Sequence, residues 1–137
     1  MVYSLVSDVT RMGEWSPETR SCEWKSGATP AQVGARFTGR NRNGKHAWSS
    51  TCEVTAADPG RRFAYRVSYL GMAIADWSYE LRATDGGCEL TESTVDRRRL
   101  PMRLMGRVGT GVSDRETHNR AGIIKTLAAI KAHAETV

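Results

Sequence analysis

Two glutamates are the best candidates in this sequence for acid–base chemistry. Glu92 follows Leu90 at the spacing that keeps both side chains on one face of a strand, and Glu116 lies at the polar start of an amphipathic helix. A carboxylate in apolar surroundings has a raised pKa and can move protons near neutral pH. We therefore take Glu92 and Glu116 as candidate catalytic residues. A neighbouring arginine would oppose the shift and form an ion pair instead.

The direction of the Glu92 side chain depends on how regular its strand is. Glu92, Thr94 and Asp96 are in phase with Leu90, whereas the opposite phase holds Thr91, Ser93 and Val95. In a regular strand Glu92 points inward, but a β-bulge after Leu90 would turn it outward. The sequence leaves both alternatives open.

A second group of side chains is predicted to surround a ligand. Alternation along the strands places most of them on one apolar face, and the others continue the inward stripe of the last helix. The predicted ligand-binding residues are Phe37, Trp48, Tyr65, Val67, Trp77, Tyr79, Leu81, Asn119, Arg120 and Ile123. Any one of them could simply fill a solid core, but together they exceed what a small domain needs. Aromatic rings with polar tips favour a flat, largely apolar ligand that bears a few oxygens.

Other chemistries lack their usual patterns. His46, His118 and His133 lie in different elements and form no metal-binding pair, so we expect no metal and no cofactor. Three cysteines, an odd number without C-x-x-C spacing, are predicted to be reduced core residues.

The elements that must position these residues are read from periodicity and turn signals. Helical spacing begins at Val2, Asn43-Gly44 predicts a two-residue hairpin turn, and the next strand is predicted over His46 to Ala56. A capping box, S-x-x-E from Ser113 to Glu116, predicts the start of the final helix. Its apolar stripe comprises Ile123, Leu127, Ile130 and Ala134. The pattern predicts an α+β fold in which an antiparallel meander wraps a long C-terminal helix and encloses a pocket.

Composition limits the class of protein. A chain of 137 residues with 39% hydrophobic residues predicts one domain, residues 1–137. No window approaches the roughly 18 apolar residues of a membrane span, and no export signal is visible, so the expected location is the cytoplasm. The net charge of +5 is concentrated in an arginine-rich segment, Arg97 to Arg107. Without stacking aromatics there, we do not expect nucleic-acid binding.

Five stretches resemble a known family: V-Y-S-L-V-S-D-V-T-R-M-G-E-W-S-P from Val2, E-V-T-A-A-D-P-G-R-R-F from Glu53, W-S-Y-E-L from Trp77, L-T-E-S from Leu90 and T-L-A-A-I-K from Thr126. The chain resembles the polyketide cyclase/dehydrase-like and lipid-transport branch of the START-like, or SRPBCC, superfamily. The resemblance implies a helix-grip fold, in which a seven-stranded antiparallel sheet curls around the C-terminal helix. It also implies a cavity between sheet and helix.

One departure from the family concerns its first strand, which precedes the first helix in relatives. Here the apolar stripe of that helix already includes Val2, so the first strand is expected to be missing. Unpaired strand edges would favour a homodimer.

Three functions follow as hypotheses. The leading one is binding, transport or sensing of a hydrophobic small molecule such as a lipid, polyketide or aromatic metabolite. The alternative is a metal-free enzyme of the cyclase or dehydratase type with a pocket carboxylate as general base. The third is a regulatory or toxin-like module that contacts RNA or an acidic partner through the arginine-rich segment.

Overall fold

The computed structural model describes residues 2–25, 32–98 and 114–136. Helix α1 spans Val2–Ser7 and is followed by a 3-10 helix, Val9–Glu14. The strands are β1 Thr19–Trp24, β2 Arg36–Asn43, β3 His46–Asp58, β4 Arg62–Tyr69, β5 Met72–Thr84 and β6 Gly87–Asp96. Helix α2, Arg115–Glu135, closes the chain. The predicted α+β class is confirmed.

The strands form one antiparallel sheet in sequence order, from β1 to β6. The predicted hairpin between β2 and β3 is confirmed, but its two turn residues are Gly44 and Lys45 rather than Asn43 and Gly44, because Asn43 still pairs with His46. Gly44 takes the positive φ, 61°, that such a turn requires. Strand β3 continues to Asp58, two residues beyond the predicted Ala56. Among the described strands, β1 and β6 are the two edges. Pairing of two copies through these edges stays a prediction.

The core lies where the concave face of the sheet meets the helices. Phe37, Val54 and Phe63 from the sheet, Val9 from the 3-10 helix and Ile130 from α2 are almost completely buried. At the C-terminal end of α2, the ring of His133 packs edge-on against Trp15, with ring centres 5.5 Å apart. Burial alternates along β2 and β3, as expected for strands that pack one face against the core.

The start of α2 differs in detail from the predicted capping box. The N-cap is Asp114, whose carboxylate accepts a hydrogen bond from the backbone N–H of Thr117 at 3.1 Å. Ser113, the predicted cap, lies outside the described residues. Aspartate satisfies the free amides of a first helical turn as well as serine does, so either residue type fits the sequence signal.

Gly13 is the tightest glycine in the packing between the 3-10 helix and β1. A Cβ at this position would lie 2.6 Å from the backbone oxygen of Arg20, and a backbone atom cannot rotate away. We expect Gly13→Ala to destabilise the protein by about 1–3 kcal/mol, measured by urea unfolding.

A matched change at Gly122 should have the opposite sign. Gly122 lies inside α2, where a Cβ would meet only Pro17 Cγ at an ordinary 3.8 Å. Because alanine is the better helix former, Gly122→Ala should stabilise the protein by about 0.5–1 kcal/mol. Equal effects of the two substitutions would contradict the close approach at Gly13.

In the part of the chain that the structure describes, no helix is long and apolar enough to cross a membrane.

Candidate functional site

A cavity of about 1000 Å³ lies between the concave face of the sheet and α2. Most of the predicted ligand-binding residues line it: Phe37, Trp48, Tyr65, Val67, Trp77, Tyr79, Asn119 and Ile123. Phe37, Tyr65 and Tyr79 are buried, and the rings of Phe37 and Tyr65 pack edge-on with centres 5.2 Å apart. The concave sheet therefore leaves a space that its aromatic side chains surround without filling. Their contact with a ligand stays a prediction.

Two predicted ligand-binding residues lie away from the cavity lining. Leu81 shares the inward phase of β5, but it stands opposite Leu90, farther along the strand than the cavity extends. Arg120 points to solvent from α2, with 76% of its side chain exposed and its guanidinium 3.9 Å from Glu116. Phase along a strand or helix gives the face of a residue, but it does not give the length of the cavity.

Glu92 points into the cavity. Strands β5 and β6 pair without a register shift, so Glu92 stands directly opposite Tyr79 and Thr94 opposite Trp77. The bulge that would have turned Glu92 outward is absent from this described pair of strands. The inward alternative is therefore the observed one.

Burial changes the acidity of Glu92. It raises the pKa of this carboxyl from its ordinary 4.5 to about 7, and a side-chain hydrogen bond with Tyr79 opposes the shift by a smaller amount. Its Oε1 atom and the Oγ1 atom of Thr94 are both buried without a hydrogen-bond partner among the described residues. The arginine that would have held Glu92 in an ion pair is not found in the described ranges.

Glu116 occupies a different environment. It lies at the rim of the cavity on the first turn of α2, with 87% of its side chain exposed. At this position the carboxylate faces solvent and is not enclosed by apolar side chains. Of the two candidate catalytic residues, only Glu92 therefore has the environment on which the prediction depended.

A polar cluster at the mouth of the cavity joins α2 to the chain just before β1. One guanidinium nitrogen of Arg115 donates to both carboxylate oxygens of Glu18, at 2.8 and 2.9 Å. His118 Nε2 lies 3.1 Å from the same carboxylate, and Arg115 also reaches Asn119. The guanidinium of Arg115 lies 5.8 Å from the centre of the Trp48 ring. These contacts hold the polar first turn of α2 beside the ring of Trp48.

Glu18, Arg115 and Thr94 also line the cavity, and none of them is among the site residues predicted from the sequence. Helical periodicity could have found Arg115, which precedes Asn119 by one turn on the same stripe. Phase along β6 could have found Thr94. No sequence signal marks Glu18, because its role depends on a contact between residues 97 positions apart.

The cysteines divide between the cavity wall and the surface. Cys22 and Cys52 are buried and line the cavity, and burial raises the pKa of their thiols to about 11 and 12, respectively. The third, Cys88, is exposed, so its predicted core position was wrong. It has the inward phase of β6, but it lies at the hairpin end where the sheet extends beyond the core.

Most of the arginine-rich segment, residues 99 to 107, lies outside the described residues. Arg97 and Arg98, at its start, form ion pairs with Asp76 and Asp96 at 2.9 and 2.8 Å. Within residues 2–25, 32–98 and 114–136, no group of three or more His, Cys, Asp or Glu side chains is arranged to hold a metal ion.

Comparison with known proteins gives a family match over nearly the whole chain. A family model described as polyketide cyclase/dehydrase and lipid transport matches residues 1–135. A polyketide-cyclase-like protein of Corynebacterium glutamicum, solved in solution, is 33% identical; the match covers 98% of this chain and 82% of that one, with a TM-score of 0.57. No curated protein matches the chain.

Two more distant structures share the architecture. Major latex-like protein 151 from Panax ginseng is 16% identical, with 96% of this chain and 85% of that one covered and a TM-score of 0.68. The di-domain ARO/CYC protein StfQ of the steffimycin biosynthetic pathway is also 16% identical, with 98% and 46% covered and a TM-score of 0.69. Together with the curved sheet and the long C-terminal helix, these likenesses show a helix-grip fold.

Proposed function

The chain belongs to the family of polyketide cyclases, dehydrases and lipid-transport proteins, and on that basis we propose that it binds an apolar small molecule in the cavity between its sheet and α2. The single observation that carries the proposal is the cavity itself. Its volume of about 1000 Å³ lies at the upper end of the range found for ligand sites. In the leading form of the proposal, the protein carries or senses a lipid, polyketide or aromatic metabolite without transforming it.

The walls suit such a ligand because they combine aromatic surface with few polar groups. Phe37, Tyr65 and Tyr79 present rings from three different strands, and Ile123 faces them from α2. Burial raises the pKa of Tyr65 and Tyr79 well above 10, so both phenols stay protonated. The hydroxyl of Tyr65 donates to Met12 Sδ at 3.7 Å and that of Tyr79 forms a hydrogen bond with Glu92, so each phenol oxygen can still accept a hydrogen bond from a ligand hydroxyl or N–H. A flat molecule with a few oxygens would satisfy both kinds of surface.

Narrowing the cavity from the sheet should weaken binding. Ala75 is buried on β5 and lines the cavity, so a phenylalanine there would occupy the space that a ligand needs. We expect Ala75→Phe to weaken binding of the neutral probe 2-(1-naphthyl)ethanol by at least about tenfold in isothermal titration calorimetry, because the ring displaces the probe's apolar contacts.

Ala83→Phe is the matched control for this experiment. Ala83 lies on the same strand but is exposed and outside the cavity lining, so its substitution should leave the affinity unchanged. Circular dichroism would establish that both variants are folded. Equal affinities of the wild type and a folded Ala75→Phe would place the probe elsewhere and overturn the proposal.

A second candidate function is cyclase- or dehydratase-type turnover with Glu92 as general base. The observation that favours it is the carboxyl of Glu92 inside the cavity, with a pKa of about 7 and Tyr79 beside it. The two functions differ in whether Glu92→Gln removes a measurable turnover. In a carrier the substitution leaves the affinity for a neutral ligand nearly intact and there is no turnover to lose. In an enzyme the ligand still binds, but turnover is lost.

A further inference from the structure

The cavity wall is acidic within a protein that is basic overall. Among the described lining residues, Glu18, Glu92, Asp96 and Glu116 are acids, whereas only Arg98 and Arg115 are arginines, and the whole chain has a formal charge of +5. This acidic excess is the reverse of what an anionic ligand would need.

Three of these four acids lie beside an arginine, and the fourth, Glu92, does not. Arg98 pairs with Asp96 and Arg115 with Glu18, both at 2.8 Å. Glu116 is solvated at the rim and faces Arg120. Glu92 has no cationic partner in the ranges that the structure describes. A ligand group that compensates charge in this cavity would therefore have to do so at Glu92.

Two enclosed polar atoms mark the same place. Oε1 of Glu92 and Oγ1 of Thr94 belong to alternate residues of β6, so both face the cavity, and neither has a hydrogen-bond partner among the described residues. A buried polar atom without a partner costs free energy that a suitably placed donor recovers. A group with several N–H donors could satisfy both oxygens at once.

The rings beside these atoms favour a cation as well. Tyr79 and Trp77 stand opposite Glu92 and Thr94 on β5, and Tyr65 stands opposite Trp77 on β4. The electron-rich faces of aromatic rings attract cations, most strongly where water is excluded. Carboxylate, hydroxyl and rings thus form one wall, the Glu92 wall, defined by Glu92, Thr94, Trp77, Tyr79 and Tyr65.

We infer that the preferred ligand of this cavity is an apolar molecule that carries a protonated amine, bound through an N–H donated to Oε1 of Glu92 and a second N–H donated to Oγ1 of Thr94. The inference rests on the proposed function, because it requires that the cavity admit an apolar molecule at all. It adds the chemical class of the ligand and assigns the residues that recognise its polar end.

Binding of an ammonium should depend on pH through Glu92. The titratable groups that face it are Tyr79 on β5 and Tyr65 on β4, with Cys22 of β1 beside these tyrosines; burial raises the pKa of all three. Farther out, the mouth holds Glu18, Asp96, Arg98, Arg115 and His118. Only the ionised carboxylate of Glu92 attracts the ammonium, so the affinity should rise with pH through about 7.

Three probes with the same ring system test the inference by titration calorimetry: 2-(1-naphthyl)ethylammonium, 2-(1-naphthyl)ethanol and 1-naphthylacetate. At pH 8 the wild type should bind the ammonium at least about tenfold more tightly than the alcohol, because a charge-assisted hydrogen bond replaces a neutral one. Between pH 8 and pH 6 the ammonium affinity should fall about tenfold, whereas that of the alcohol should stay nearly constant.

Glu92→Gln should remove both the preference for the ammonium over the alcohol and its pH dependence. Glu89→Gln is the matched control. Glu89 lies on the same strand, but it is exposed, pairs with Arg82 and is outside the cavity lining. This variant should keep the wild-type preference.

The outcomes separate the two proposals. If the alcohol binds and the ammonium binds no more tightly, or if 1-naphthylacetate binds best, the amine inference fails and the proposed function stands. An ammonium preference that survives in Glu92→Gln also overturns the assignment, since the cation would then bind elsewhere. If none of the three probes binds to the wild type, the proposed function and the inference fail together. Thr94→Val should reduce the ammonium preference only in part, which gives a second variant should Glu92→Gln fail to fold.

Discussion

Glu92→Gln should change how the stability of the protein depends on pH. The pKa of Glu92 is about 7 in the folded protein, against an ordinary 4.5, so the folded state holds this proton more tightly than the unfolded state. The stabilisation from the protonated carboxyl is therefore fully present below about pH 4.5 and is lost as the pH rises through about 7. Between pH 4.5 and pH 8 the wild type should lose about 3 kcal/mol relative to Glu92→Gln, since glutamine does not titrate.

Urea unfolding of both proteins at pH 4.5, 6, 7 and 8 measures this difference. The comparison of slopes matters more than the stability at any one pH, because a buried amide has hydrogen-bonding needs of its own that do not vary with pH. Glu89→Gln, with its exposed side chain, should follow the wild-type curve. Parallel curves for the wild type and Glu92→Gln would show that Glu92 is solvated in the folded protein.

Phe63→Ala should cause a large loss of stability that is independent of pH. Phe63 is completely buried, packs against the Tyr65 ring at 5.9 Å between centres, and does not line the cavity. Its removal opens a new void in the core, at a cost of about 3–5 kcal/mol in the free energy of unfolding.

Val95→Ala is the control for this substitution. Val95 lies on β6 with half of its surface exposed, so its change should stay within about 0.5 kcal/mol of the wild type. A loss of less than about 1 kcal/mol for Phe63→Ala, measured by urea unfolding, would mean that the surrounding side chains close the void.

The architecture could be predicted from the sequence because its signals are local. The Asn-Gly signal predicted the hairpin between β2 and β3, although the observed turn residues are Gly44 and Lys45. The alternation from Phe63 to Tyr69 predicted which face of β4 is buried. The resemblance of five stretches to a known family pointed to the same fold, and the family match over residues 1–135 agrees with it.

The site could be predicted only in part because its polar groups depend on distant contacts. The inward direction of Glu92 required the register between β5 and β6, which one strand's pattern cannot give. The pairing of Glu18 with Arg115 joins residues 97 positions apart in the chain, which no local pattern can predict. Leu81 shows the opposite failure, since its phase is right but the cavity ends before it.

The placement of the tryptophans has an optical consequence. Two of the four, Trp48 and Trp77, line the cavity, the first beside Arg115 at the mouth and the second in the Glu92 wall. The other two pack into the core, Trp15 against His133 and Trp24 against Phe37. With the core pair replaced by phenylalanine, the remaining indole emission would come from the cavity lining alone. The protein thus carries its own fluorophores in the wall that a ligand would contact.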